Sequence, residues 1–124
     1  MMGTTTARAA RATKLNARLK IWLEVNGRYA FGHGLCEMLQ AVEDSGSIKH
    51  AAGELGKSYR YVWGRIKAAE RILGGQLVEA HVGGKGVRRS ALTAKARQLI
   101  ADFLAVRRHM IDTLRNEFNR RFGL

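Results

Sequence analysis

The chain has one cysteine, Cys36, no proline, and only 10 acidic residues among 124. A lone cysteine excludes an internal disulfide framework, fits a reducing compartment and supplies no thiolate set for a structural metal. His33 and Cys36 form an isolated H-x-x-C pair. Structural zinc takes four ligands, so the pair reads as two residues at a helix start, and no metal or other cofactor is expected. His50, His81 and His109 are scattered. No acidic pair and no Ser/His/Asp grouping recurs at a catalytic spacing, so the chain is not expected to be an enzyme. No stretch approaches the roughly 18 apolar residues of a membrane span, and the amino terminus lacks the apolar centre of a secretory signal. A soluble, cytoplasmic protein associated with the nucleoid is expected.

What the chain has is positive charge. Lysine and arginine number 22, the formal charge is +12 and the sequence pI is about 10.9, as expected of a protein whose partner is nucleic acid. An anionic membrane surface is the other polyanion to weigh. No long amphipathic helix sets a Lys/Arg face against a Trp/Phe/Leu face, which argues against it. The length suits one domain with a real core. Residues 3–20, with Arg8, Arg11, Lys14, Arg18 and Lys20 and no acid, have a composition like an organelle transit segment but read better as a flexible basic arm.

Residues 45–73 read as two short helices joined by a glycine turn. The first starts at Ser47, an N-cap residue, and carries Ile48, Ala51, Ala52 and Leu55 on one face. Gly56 ends it, and Ser58 can cap the second. Small residues at Ala51 and Ala52 allow the steep crossing of a helix-turn-helix. On the second helix Val62, Ile66, Ala69 and Leu73 fall on one side, with Arg60, Gly64, Lys67 and Arg71 opposite. A cationic side adds nothing to packing, whereas a helix lying in the major groove needs cations and donors near its N-terminal half. Gly64 would permit close backbone approach, at roughly 1 kcal/mol of helix propensity. The plain alternative is an α-hairpin with a solvated basic face.

The flanks complete a mainly α architecture with small β hairpins. Leu19, Ile21, Leu23 and Val25 alternate with Lys20, Trp22 and Glu24, and Asn26-Gly27 predicts a type I′ turn into a return strand over 28–31. Leu35, Met38, Leu39 and Val42 mark an amphipathic helix that stops at Gly46. Beyond Gly74-Gly75, apolar-rich strands over 77–82 and 87–92 enclose Gly83-Gly84-Lys85-Gly86. A hairpin with a cationic tip directly after a recognition helix is the wing of a winged helix, placed to touch phosphates or the minor groove. The tip is no nucleotide-binding loop, because Val87 continues a strand where that loop needs Ser or Thr at a helix start. Thr93 caps a last helix of about 25 residues, or nearly 40 Å. Its apolar positions include Phe103, Met110, Ile111, Leu114 and Phe118, a stripe too long for one small domain to cover. A homodimer through its distal part is expected. The alternative is that the helix folds back over the first hairpin. The expected divisions are an arm over 1–18, a winged helix-turn-helix over 19–105 and a dimerising segment over 106–124.

Three segments together resemble one family, the amino-terminal DNA-binding domain of ModE-type molybdate-responsive regulators. They are Gly46-Ser47-Ile48 with Ala51-Ala52 and Gly56; Ser58-Tyr59-Arg60 with Trp63; and Leu77-Val78-Glu79 leading to Gly83-Gly84-Lys85-Gly86 and Ala91-Leu92-Thr93. The resemblance covers residues 19–105. It implies that Ser58, Arg60 and Tyr61 contact DNA, that the Lys85 region is the wing, that Trp63 is core, and that helices of this domain mediate dimerisation. Where family members often continue the wing with glycines, this chain has Val87, Arg88, Arg89 and Ser90, so its wing should grip phosphates more strongly. The regulators also carry carboxy-terminal molybdate-binding domains. Molybdate binding is not expected of this chain alone, and the resemblance raises a separate effector-sensing protein as a partner.

The expected function is a sequence-specific transcriptional regulator that reads double-stranded DNA. Its DNA-facing residues would be Ser47, Lys57, Ser58, Tyr59, Arg60, Tyr61, Gly64 and Lys67, with Lys85, Arg88 and Arg89 on the wing. The alternative is a non-specific architectural module, or a DNA-tethering partner of a separate sensor protein.

Overall fold

A computed structural model describes residues 14–86 and 88–123, with Lys85 described in its backbone only. The described residues form two compact units, one over 21–103 and a smaller one of 14–20 with 104–123. Arg8 and Arg11 of the expected arm lie outside the described residues.

The larger unit opens with an antiparallel hairpin, β1 (Trp22–Val25) and β2 (Arg28–Gly32). Asn26 at φ 51° and Gly27 at φ 78° both take the left-handed conformation that a type I′ turn requires. The first strand is shorter than the alternation from Leu19 predicts, because Trp22 already pairs with Gly32, the last residue of β2, and no partner strand continues beyond it. Helix α1 (His33–Ser45) follows directly and ends at Gly46, whose φ of 75° lets its N–H return to the Val42 carbonyl.

Helix α2 (Ile48–Glu54) is capped by Ser47, whose hydroxyl accepts from the His50 N–H at 3.1 Å. Its carboxyl end is a Schellman turn: Lys57 N–H donates to Ala52 O at 2.9 Å and Gly56 N–H to Gly53 O at 3.2 Å, with Gly56 at φ 66°. The chain is thereby turned within four residues into α3 (Tyr59–Leu73), where Ser58 accepts from the Tyr61 N–H at 3.0 Å. Strands β3 (Val78–Val82) and β4 (Arg88–Leu92) pair antiparallel from Val78↔Leu92 to Val82↔Arg88, with a 3-10 turn at Gly84–Gly86. Helix α4 (Ala94–Phe122) runs 29 residues, about 44 Å at the usual rise. Thr93 caps it by accepting from the Ala96 N–H at 3.1 Å.

The core of the larger unit is built from Phe31, Leu35, Leu39, Val42, Val62, Ile66 and Leu77, all fully buried. Ala51 and Ala52 are buried where α2 meets its neighbours, as close helix crossing needs. The molecule is thus a mainly helical winged helix-turn-helix with two small hairpins and a long last helix. Phe103 corrects one expectation. It is 2% exposed and meets Phe31 edge-on at 5.2 Å, so it belongs to this core and is not open to a second subunit. Its position on the proximal half of α4 faces the hairpin, which the periodicity of the helix could not reveal.

In the smaller unit, the distal part of α4 leaves Val106 and Met110 exposed. Leu15 and Ala17 border a groove of about 360 Å³ with Ile111, Leu114 and Phe118. No helix among the described residues is long and apolar enough to cross a membrane.

Candidate nucleic-acid interface

The head of α3 concentrates cations and aromatic donors in the open. Tyr59 is 50% exposed and Tyr61 43%, with Lys57 and Arg60 exposed beside them. Arg60 forms no ion pair among the described residues, so its guanidinium is uncompensated. The Ser47 and Ser58 hydroxyls are both engaged as N-caps. They therefore shape the interface by orienting their helices. Gly64 lies one turn further on, and a Cβ built there would meet nothing within 4 Å. Its missing side chain leaves bare backbone in the middle of the outer face.

Lys67 is placed differently from Arg60. Its ammonium pairs with Glu70 Oε1 at 3.1 Å and lies 5.8 Å from the Trp63 ring centre. The other carboxylate oxygen, Glu70 Oε2, accepts the Leu77 N–H at 2.8 Å and the Val78 N–H at 3.3 Å. Glu70 thus anchors the start of β3 to α3, and much of the Lys67 charge is answered within the fold.

Two wing residues also part company. Arg88 is exposed opposite Val82 at the tip end of the hairpin. The Arg89 guanidinium instead lies against Gly46, where a Cβ would come within 2.5 Å of Arg89 Cζ. Ser90 N–H donates to Gly46 O at 2.8 Å on the same edge. Arg89 therefore leans back on the α1–α2 junction, near Glu43, whose carboxyl is lowered chiefly by its hydrogen bond from Arg97 and only slightly by the Arg89 charge. Lys85 sits in the tip turn. The expected strand residue Val87 lies outside the described residues.

Trp63 overturns the expectation of a core position. It is 44% exposed and, with Tyr59, Lys67, Gln76 and Val78, lines a groove of about 440 Å³ between α3 and the wing. At the helical 100° per residue, position 63 lies well away from the side occupied by Val62, Ile66 and Ala69, which already fill the interior. Sequence reading also passed over Arg65, Tyr29 and Glu70. Arg65 bonds the Tyr61 hydroxyl four residues before it, a spacing of helix neighbours that the sequence shows; its approach to the Tyr29 ring crosses elements and has no local signal. The H-x-x-C pair is divided, with His33 exposed and 2.9 Å from Glu37 while Cys36 is buried. Among the described residues no group of three His, Cys, Asp or Glu could hold a metal ion.

This arrangement has known relatives. The pattern of the bacterial regulatory helix-turn-helix proteins of the LysR family matches residues 34–97, just over half of the chain. The chain belongs to that family. Its matched segment runs from α1 to the start of α4 and so contains the whole helix-turn-helix and wing, a DNA-binding domain of a non-enzymatic family. The resemblance to molybdate regulators also holds at a distance. The chain is 29% identical over 109 residues to the molybdenum transport protein ModE of Herbaspirillum seropedicae, covering 88% of this chain and 38% of that protein. It is 36% identical over 69 residues to the molybdenum-pterin-binding protein MopB of Rhodobacter capsulatus, covering 56% of this chain and 26% of the relative. The chain thus spans about a third of the length of these relatives. Among solved structures, the BenM DNA-binding domain in complex with benA site 1 DNA shares the fold, with a TM-score of 0.50 and 22% identity over 67% of this chain and 91% of that one.

Proposed function

We propose that this LysR-family domain is the reading head of a ModE-like transcriptional regulator and binds duplex DNA sequence-specifically as a homodimer. The observation that carries the reading is the head of α3. Arg60, with no ion pair among the described residues, stands at the start of a capped second helix, flanked by exposed Tyr59 and Tyr61 and by Lys57. That is where a helix lying in the major groove meets base edges, and an arginine there can bond a guanine in bidentate fashion. The wing supplies the phosphate contacts through Lys85 and Arg88, and the distal stripe of Met110, Ile111, Leu114 and Phe118 joins two copies. A two-fold dimer presents two reading helices to half-sites about one DNA turn apart.

Selection from random duplexes tests this directly. Enrichment of a palindromic consensus is the expected result. Retention of all sequences alike, with binding that falls steeply as salt rises, would replace it with the non-specific architectural role.

A further inference from the structure

Beside the base-reading face runs a set of contacts that links the first hairpin to the head of α3. The Tyr29 ring, on β2, lies 5.7 Å from Arg65 Cζ. The same guanidinium carbon is 5.8 Å from the Tyr61 ring centre, and Arg65 Nη1 donates to the Tyr61 hydroxyl oxygen at 3.0 Å. Lys57 Nζ adds a second cation 5.5 Å from the Tyr61 ring. Tyr29 is itself seated by an absence, because a Cβ on Gly32 would come within 2.3 Å of its hydroxyl. Gly32 has extended backbone at φ −154°, which any residue adopts, so space and not conformation is what glycine provides there.

The chemistry of the set has a direction. Arginine only donates, so the Tyr61 oxygen is the acceptor in that bond, and the phenolic proton is left to be donated outward. The adjacent charge polarises the hydroxyl as a donor. Tyr61 is 43% exposed on the interface side of the helix head, where the acceptors that DNA offers in greatest number are phosphate oxygens. A long arginine side chain left to itself samples many rotamers, whereas two aromatic faces restrict it.

We propose that Tyr29, Arg65 and Tyr61 make the first hairpin a positioning element of the DNA interface. Tyr29 holds Arg65, and Arg65 orients the Tyr61 hydroxyl as a donor to a DNA phosphate. The inference rests on DNA binding by this domain and is independent of whether bases are read.

The test measures affinity and dissociation rate on a random-sequence duplex at fixed salt, and on any consensus duplex that selection yields, with thermal midpoints in parallel. Tyr61→Phe should weaken binding about ten- to hundredfold with little change in midpoint, as loss of one hydrogen bond to a charged group implies. Tyr29→Phe should bind like the parent, since the ring face is kept. Tyr29→Leu should lose most of what Tyr61→Phe loses, and the double variant should lose no more than Tyr61→Phe alone. Gly32→Ala should weaken binding by displacing the Tyr29 hydroxyl, and adding Tyr29→Phe should restore part of it. That pair keeps the test decisive even where Tyr29→Leu fails to fold. A lowered midpoint with unchanged affinity for Tyr29→Leu, or additive losses in the double variant, would overturn the proposal and leave only a structural pin. Absence of any preferred sequence would defeat base reading, while the same ratios on random duplex would still decide this inference.

Discussion

Gly64 and Arg60 occupy one outer face of α3 and make opposite demands on it. Gly64 lowers helix stability, yet beyond its chain neighbours and the helix's own backbone a Cβ there would meet nothing within 4 Å. Gly64→Ala should therefore stabilise the free domain by up to about 1 kcal/mol while weakening DNA binding, because the new methyl stands where backbone meets the groove. Thermal melts and binding isotherms on the same samples check this. A variant both more stable and equally tight would show that the groove never approaches Gly64. Arg60→Ala should cost about 1–3 kcal/mol on a selected duplex, with discrimination lost at one base position. An equal loss on every sequence would mean that Arg60 meets phosphate only.

The wing is an element whose cations differ in what they are free to do. Arg88 and Arg89 are both exposed, but the Arg89 guanidinium lies against Gly46 while Arg88 stands near the tip. Replacing Lys85 and Arg88 should flatten the slope of log affinity against log salt by about 0.9 for each phosphate that the variant no longer neutralises. Arg89→Ala should leave that slope nearly unchanged and lower the thermal midpoint instead. A slope that falls only with Arg89 would invert the assignment. The charge pattern of the wing alone could not separate these residues, since alternation places side chains on faces but does not say which face meets a neighbour. Glu70 carries a similar lesson. Its two bonds to the Leu77 and Val78 N–H groups fix where the wing leaves α3, and they cross the Gly74-Gly75 break, beyond which the period of the helix no longer places residues.

Within the larger unit, α1, β4 and α4 are tied together by one carboxylate. Glu43 Oε2 accepts from Arg97 Nε at 2.8 Å and Oε1 accepts from the Leu92 N–H at 3.3 Å. The bond from Arg97 is the largest influence, and it holds the Glu43 carboxyl below its ordinary value of 4.5 against the opposing effect of burial. A depressed carboxylate contributes stability that is present above the unfolded value, and that contribution is lost as pH falls through the folded one. The domain should thus lose stability as the solution is acidified below about pH 4.5, and Glu43→Gln should remove part of that acid slope. Denaturation midpoints across the acid range check this, and an unchanged slope in the variant would contradict it. In the smaller unit, replacing Met110 and Leu114 together by glutamate should convert a proposed dimer to monomer in sedimentation equilibrium. A parent chain that is monomeric at every concentration would refute the assembly.

Local rules carried much of this protein. The helix boundaries at Gly46, Gly56 and Gly74, the caps at Ser47, Ser58 and Thr93, and the type I′ turn at Asn26-Gly27 were legible because each depends on one residue's backbone freedom or hydroxyl and its nearest neighbours. The buried side of α3 followed from period alone. Tertiary structure decided which surface residues are free to act. It put Phe103 into the core and Trp63 at the surface, laid Arg89 against Gly46, compensated Lys67 with Glu70, and set Tyr29 against Arg65. The reason is physical: caps and turns are settled within about one turn of chain, whereas the partner of a long side chain is chosen by whatever distant segment packs beside it.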